Sequence, residues 1–446
     1  MSNHSPQRSD AYAGTARLGS VVFAAFAGFF FVGILEYALP LYFNALEGFS
    51  KNVWAELVLW QVIPWIFTPA LAGLLARRYS ERRVWGAALF GQALVPLTLL
   101  IWPEPWIIRP LAFWNGFTGA LMWVGGVSLI QIVPPHRKGL ANGLMMMSMG
   151  VGSVLGPLAG RAILWSDSVA STLSVGSLRK LAEFLLNFTV PETDPPLRHF
   201  QWILFGLTVL AAASAVLIWF KGQRPGRFHG EDTAHDSAQA AADLRQLFHD
   251  PRFWALTLTL CVLGGPVFQA TNQFLKYRAE DLGLIVGSQD RGWILLQLVR
   301  TVMWIPGGLA VGLVAGRRIP GSIAAAMLAL FSLAGLGIGF APSTGWLFVV
   351  VAMFEFVRQF MRWLHSGFLS EHLPQKLRAT AIGCGISLAG IGSTVYGALP
   401  LEVMDPNSPH FNASIPFLIA TAVGLAGAGA LFLFDRFRPI RGACHE

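Results

Sequence analysis

Apolar runs of about twenty residues, separated by short polar stretches, recur along the whole 446-residue chain. This recurrence limits the fold more than any other feature. A helix needs ~20 residues to cross the hydrocarbon core of a bilayer, and only helices or closed barrels can cross it. Runs of this kind fall at about 18–43, 56–76, 84–102, 107–133, 139–162, 201–220, 253–275, 292–316, 320–341, 345–367, 379–400 and 414–434. The expected fold is an all-α membrane protein of twelve transmembrane helices. Composition agrees, because apolar residues make up 54% of the chain and charged residues 13%, against about 25% charged in soluble domains. The net charge of +8 could suggest a nucleic-acid partner, but the basic residues sit in short clusters between apolar runs. The expected partner is therefore a lipid bilayer and not nucleic acid.

Lys and Arg are concentrated in alternate loops. One set holds Arg77, Arg78, Arg82 and Arg83, then Arg137 and Lys138, Lys221, Arg224 and Arg227, Arg317 and Arg318, Lys376 and Arg378, and Arg436 onward. The positive-inside rule puts this set and both termini in the cytoplasm. A bacterial inner membrane and a monomer are expected. The polar first seventeen residues lead into an apolar run too long for a signal-peptide core. Cys261, Cys384 and Cys444 are far apart and form no disulfide framework or metal spacing. The chain divides into a tail at 1–17, a six-helix bundle at 18–220, a linker at 221–252, a second six-helix bundle at 253–434 and a tail at 435–446.

Charges inside the spans point to a path for a solute. The tenth span carries Glu355, Arg358, Arg362 and His365, which with Gln359 fall on one side of a helix at steps of three and four. An ionised group at mid-bilayer is costly and normally faces a protein interior or a water-filled cavity. An ion pair that only locks helices together is the plainer alternative. Glu36 in the first span and Arg300 in the eighth are the other candidates at depth. Burial favours the neutral form of a carboxyl group, which a reversible proton carrier requires. Arg300 could pair with Glu355. Arg300, Arg358 and Arg362 outnumber Glu355, which leans toward an anionic or zwitterionic solute. Gln269, Asn272 and Gln273 close the seventh span and could bind a polar solute or cap a helix end. The third, sixth, ninth and twelfth spans have no ionisable residue, so they are fit to face lipid.

Sliding the chain on itself by about 240 residues aligns Trp54, Trp65, Trp106 and Trp123 with Trp293, Trp304, Trp346 and Trp363. Gly143, Gly150 and Gly152 fall on Gly383, Gly390 and Gly392. The halves are thus parallel repeats related by an axis along the membrane normal. The same offset sets Asn115 opposite Glu355 and Gln61 opposite Arg300, as a central site between bundles would need. Bonds to neighbouring helices would also account for these two.

With these features the chain resembles the major facilitator superfamily of transporters. Gly73, Leu75, Ala76, Arg78, Arg82 and Arg83 of GLLARRYSERR match that family's loop signature, while Arg77 stands where the family has Asp. The resemblance implies a gating role for this loop, with its charge network altered. Simple positive-inside anchoring would explain the same arginines. GVGSVLGPLAG, Gly150 to Gly160, resembles the Gly-rich signature of family antiporters and drug exporters. Gly152, Gly156 and Gly160 share one helix face, and Pro157 can bend the span, so this segment is a candidate pivot. The family's fourth-span Arg is replaced here by Ala112, with Arg109 nearer the outer end.

The function expected is secondary transport of a small organic solute by alternating access, coupled to protons, in export or antiport. Proton-coupled import and uniport are alternatives. A transport-silent sensor is the alternative of another class. The chain shows no phosphate-binding loop, nucleophile triad or metal spacing that would argue for an enzyme, and no cofactor is expected. The 164–200 segment includes SLRKLAEFLLNF, which could lie as an interfacial helix.

Overall fold

A computed structural model describes residues 7–46, 53–79, 81–131, 138–166, 196–221, 245, 248–287, 289–314, 321–372, 375–399 and 401–437. Helices occur at all twelve expected positions. The first is Gln7–Ala45, so the helix starts inside the segment expected to be a tail. The second bends by 46° between Val53–Ile66 and the helix starting at Thr68. Pro64 and Pro69 supply no backbone N–H, and the chain passes through a tight turn at Ile63–Ile66 before Thr68–Tyr79 resumes. The third to sixth spans are Glu81–Ile101, Ile108–Gln131, Lys138–Leu164 and Leu197–Lys221. The seventh is built from Pro251–Leu256, a π-helical segment Thr257–Leu263 and Gly265–Asp281. The eighth is Trp293–Val302 followed by Trp304–Val314. Gly321–Gly339, Thr344–His372, Gln375–Gly397 and Ser414–Phe437 complete the order. Among the described residues, nine helices are long and apolar enough to cross a membrane, and the bent pair makes a tenth.

Two sequence expectations change. The seventh span continues to Asp281, so Asn272 and Gln273 lie within a helix and cannot cap its end. The extension is possible because Lys276, only 2% exposed, is paired with Glu280 at 3.4 Å and donates to Asn44 Oδ1 at 3.2 Å. A charge placed in a loop by the sequence is therefore buried with partners, which offsets much of its desolvation cost. A short antiparallel ladder, Ile285–Val286 against Gln289–Asp290, leads into the eighth span.

Within the first half the first span packs against the fifth and the third against the sixth, and in the second half the ninth packs against the twelfth. The halves meet where the second span lies on the eleventh and the fifth on the eighth. The sixth and twelfth spans are the least buried, with 39% of their apolar window covered against 78% for the first. Their lack of ionisable residues fits that exposure, since every uncovered position faces lipid.

The glycines of the fifth span bring two helix backbones together. A Cβ at Gly156 would sit 2.6 Å from Phe30 O and 2.9 Å from Ile34 N, and one at Gly160 would sit 3.0 Å from the Tyr37 ring. Gly152 meets the backbone of Phe26 and Phe30 in the same way, and Pro157 packs against Gly33. All these contacts lie inside the first half. Gly156→Val should therefore force the first and fifth spans apart and cost about 1–3 kcal/mol. The expected result is a lower apparent melting temperature in detergent, and an unchanged one would refute the close-packing account. A second close approach joins the halves, where Gly383 and Gly390 of the eleventh span lie on the backbone of Pro69 and of Trp65 and Ile66.

Candidate functional site

The eighth and tenth spans position a buried ionic cluster at the centre of the molecule. Arg300 sits three residues before the break at Met303, and Glu355 and Arg358 share one face of the tenth span. The opposite face carries Trp346, Val349 and Met353, all exposed as lipid-facing residues would be. Arg300 donates Nε to Glu355 Oε1 at 2.9 Å, NH1 to Glu36 Oε2 at 3.0 Å and NH2 to Asn272 Oδ1 at 2.9 Å. Arg358 NH1 donates to both oxygens of Glu355, at 2.9 and 3.1 Å, and Trp304 Nε1 donates to Oε2 at 2.9 Å. The Arg358 guanidinium also lies 5.0 Å from the Phe268 ring and 5.7 Å from the Trp304 ring. Four helices, the first, seventh, eighth and tenth, thus contribute to one network.

A cavity of about 400 Å³ lies between the halves against this network. Glu36, Gln61, Asn115, Gln269, Asn272, Arg300 and Arg358 line it. Glu355 is fully buried behind the arginines. Glu36 differs from it: its side chain is 35% exposed and it contributes one oxygen to Arg300. Gln273 lies one turn behind the wall and accepts from Gln269 Nε2 at 3.1 Å. Gln359 is fully buried against Gly307, with both amide atoms unpaired. The side chains of Arg77, Arg78, Arg82, Arg362 and His365 lie outside the described residues, as does most of the 164–200 segment. Gly73 is buried in the helix Thr68–Tyr79, and Arg83 is exposed at the start of the third span. Arg109 pairs with Glu56 at 3.1 Å, with its side chain 59% exposed.

Of the charged groups counted from the sequence, Arg300, Arg358 and Glu355 meet in the described cluster, and the side chain of Arg362 lies outside the described residues. Glu36 joins Glu355 there, so two carboxylates face two guanidiniums.

A second buried cluster was not read from the sequence. Asp290, fully buried, accepts from Arg161 NH1 at 3.0 Å and from the Tyr37 hydroxyl at 2.8 Å. Its other oxygen accepts from the backbone N–H of Gly292 at 3.0 Å and of Ile294 at 3.3 Å, capping the eighth span. Asn44 Nδ2 donates to Gly287 O at 2.7 Å beside it. The cluster closes the first half onto the second where the first span ends at Ala45 and the eighth begins. The available signal was Arg161, a basic residue directly after the Gly152-Gly156-Gly160 face.

The major facilitator superfamily model matches residues 21–397, and the chain belongs to that family of transporters. It is a multi-pass integral membrane protein. It is 22% identical over 417 residues to a Na(+), Li(+), K(+)/H(+) antiporter of Planococcus maritimus, covering 90% of this chain and 91% of the relative. It is 22% identical over 434 residues to the enterobactin exporter EntS of Citrobacter koseri, covering 94% and 92%. Its fold is similar to that of the human organic anion transporter MFSD10 (TETRAN), with a TM-score of 0.64 at 14% identity over 93% of this chain and 99% of that one.

Proposed function

We propose that the chain is a secondary active transporter that carries a small organic solute by alternating access, with proton coupling at the carboxylates of the central cluster. The observation that supports this most directly is the Glu36–Arg300 pair. It joins the first half to the second on the wall of a cavity large enough for an organic solute. Whatever changes the partner of either group changes the attraction between the halves, and a ligand with different affinity for two states shifts their populations. In this reading Arg300 and Arg358, with Gln269 and Asn272, meet the solute, Glu36 carries the proton, and Gln61 and Asn115 face the solute from the first half. Glu355 and Gln273 hold these groups in place, and Gln359 packs against Gly307 beside them. The bias of Lys and Arg among the loops supports cytoplasmic termini in a bacterial inner membrane, with the monomer as the working unit.

The names of the exporter and antiporter relatives support export in exchange for protons. The balanced charge of the cluster favours a second reading, in which the proton travels with the solute. Flux in proteoliposomes separates them, using a solute found by thermal-shift screening of the folded protein against a metabolite library. A coupled carrier should respond to an imposed pH gradient, accumulating solute against the proton flow in antiport and with it in co-transport. Glu36→Gln should abolish the response while leaving solute exchange at zero gradient. Wild-type flux that ignores the gradient would identify a uniporter, and no flux from a folded protein would identify the sensor.

A further inference from the structure

We infer that the solute is an organic monoanion with a flat apolar body, that its anionic group replaces the Glu36 carboxylate on Arg300, and that Glu36 takes up a proton in the exchange. The inference rests on the transporter reading and adds to it the class of solute and the sense of coupling.

The cavity has two unlike walls. Glu36, Asn272, Arg300 and Arg358 gather on one side, while Phe29, Trp65, Trp123, Met122 and Met145 supply aromatic and sulfur-bearing surface elsewhere. Pockets that combine a large apolar lining with a few convergent polar groups hold amphipathic molecules and fix their orientation through the polar end. Arg358 has donors to spare at that end. NH1 is committed to Glu355, Nε is buried with no partner, and NH2 has no hydrogen-bond partner among the described residues. Arginine presents such donors in a planar fork that matches a carboxylate.

Charge balance decides what can enter. The described cluster is neutral, with Glu36 and Glu355 against Arg300 and Arg358. A cation bound at Glu36 would displace Arg300 and leave a net positive site beside two guanidiniums. An anion bound alone would leave it net negative, with Glu36 stripped of its counterion in a largely apolar cavity, where a carboxylate is costly to keep ionised. An anion on Arg300 together with a proton on Glu36 keeps the site neutral. Glu36 is the carboxylate able to exchange, because it makes one contact and is partly exposed, whereas both oxygens of buried Glu355 hold arginines. The charged groups facing Glu36 are Arg300 from the eighth span, and Glu355 with Arg358 from the tenth behind it. Tyr37, next to it on its own helix, is turned to Asp290 and Arg161. The proton comes from the aqueous phase in contact with the cavity and returns to it when the anion leaves.

The test uses the full-length protein in lipid nanodiscs and nine probes: phenyl, naphthyl and biphenyl scaffolds, each as a carboxylate, its primary amide and the aminomethyl cation. Binding is measured by titration calorimetry in buffers of different ionisation enthalpy, which counts protons exchanged. At least one carboxylate should bind roughly tenfold or more tighter than its amide and its cation, with uptake of about one proton per molecule bound. Glu36→Gln should bind that carboxylate as well as or better than the native protein, with no proton uptake, because Arg300 is already released. Arg358→Gln should weaken it. Tighter binding of the cation or amide, release of protons on binding, unchanged proton uptake in Glu36→Gln, or no binding by any probe to the folded protein would each overturn the inference. The transporter reading survives those results if flux of another solute is found in proteoliposomes, and it fails separately if none is.

Discussion

Glu355→Ala should destabilise the protein by about 3–5 kcal/mol, the usual result of leaving buried charges without their partner. The alanine removes the acceptor for Arg300 Nε, for Arg358 NH1 and for the Trp304 indole at once. Arg300 keeps Glu36 and Asn272, but Arg358 is left with only the Phe268 and Trp304 rings. Loss of the unpaired charge should then recover stability, so Glu355→Gln combined with Arg358→Met is expected to melt well above Glu355→Ala. The pair would couple non-additively, as residues of one network do. Solute flux should be absent in the double variant, because Arg358 is among the proposed binding groups. If Glu355→Ala melts like the native protein, water from the cavity reaches Arg358 and replaces the lost carboxylate.

Asp290→Ala is expected to act on conformation as much as on stability. It removes the carboxylate that Arg161 and Tyr37 share and the cap of the eighth span in a single change. The loss falls in the arrangement where the halves are clasped at this end, so other arrangements become more populated. A differential effect of about 3 kcal/mol shifts such an equilibrium by roughly a hundredfold. The measurement is the rate at which a membrane-impermeant thiol reagent labels a cysteine placed at Leu39, which lines the cavity, in a background without Cys261, Cys384 and Cys444. Labelling from the side where the first span ends should rise steeply in Asp290→Ala. Asp290→Ala with Arg161→Met should label equally fast but melt higher, since no buried guanidinium then lacks the Asp290 carboxylate. Equal labelling of the native protein and Asp290→Ala would show that the cluster does not control access.

Much of the architecture could be read from the chain because the bilayer imposes it. A crossing helix must be long and apolar, so its length and composition appear directly in the sequence, and the charged row of the tenth span stands out for the same reason. The pairing of Arg300 with Glu355 followed from their similar depth. Other features depended on which helices touch, and that is not a local property. Glu36 could be seen as a buried acid, but its partner lies 264 positions away. Asp290 reads as an ordinary loop acid until the hairpin folds it onto Arg161 and Tyr37. Lys276 looked like the beginning of a loop because its compensating partners, Glu280 and Asn44, are visible only once the seventh span and the end of the first are side by side. The glycines of the fifth span were recognised as a packing face, yet their partner is the first span of the same half. A stripe of small residues tells that a neighbour comes close and not which neighbour.

The approach of Gly383 and Gly390 to the second span has a mechanical consequence. Main chain rests on main chain there, and between the two glycines the Ser387 hydroxyl accepts the Ala70 N–H at 3.1 Å. Displacement along such a seam breaks that hydrogen bond but, at the glycines, withdraws no side chain from a socket. The seam therefore works as a bearing with a light catch, while the Glu36–Arg300 and Arg161–Asp290 pairs, on other elements, act as removable pins between the halves.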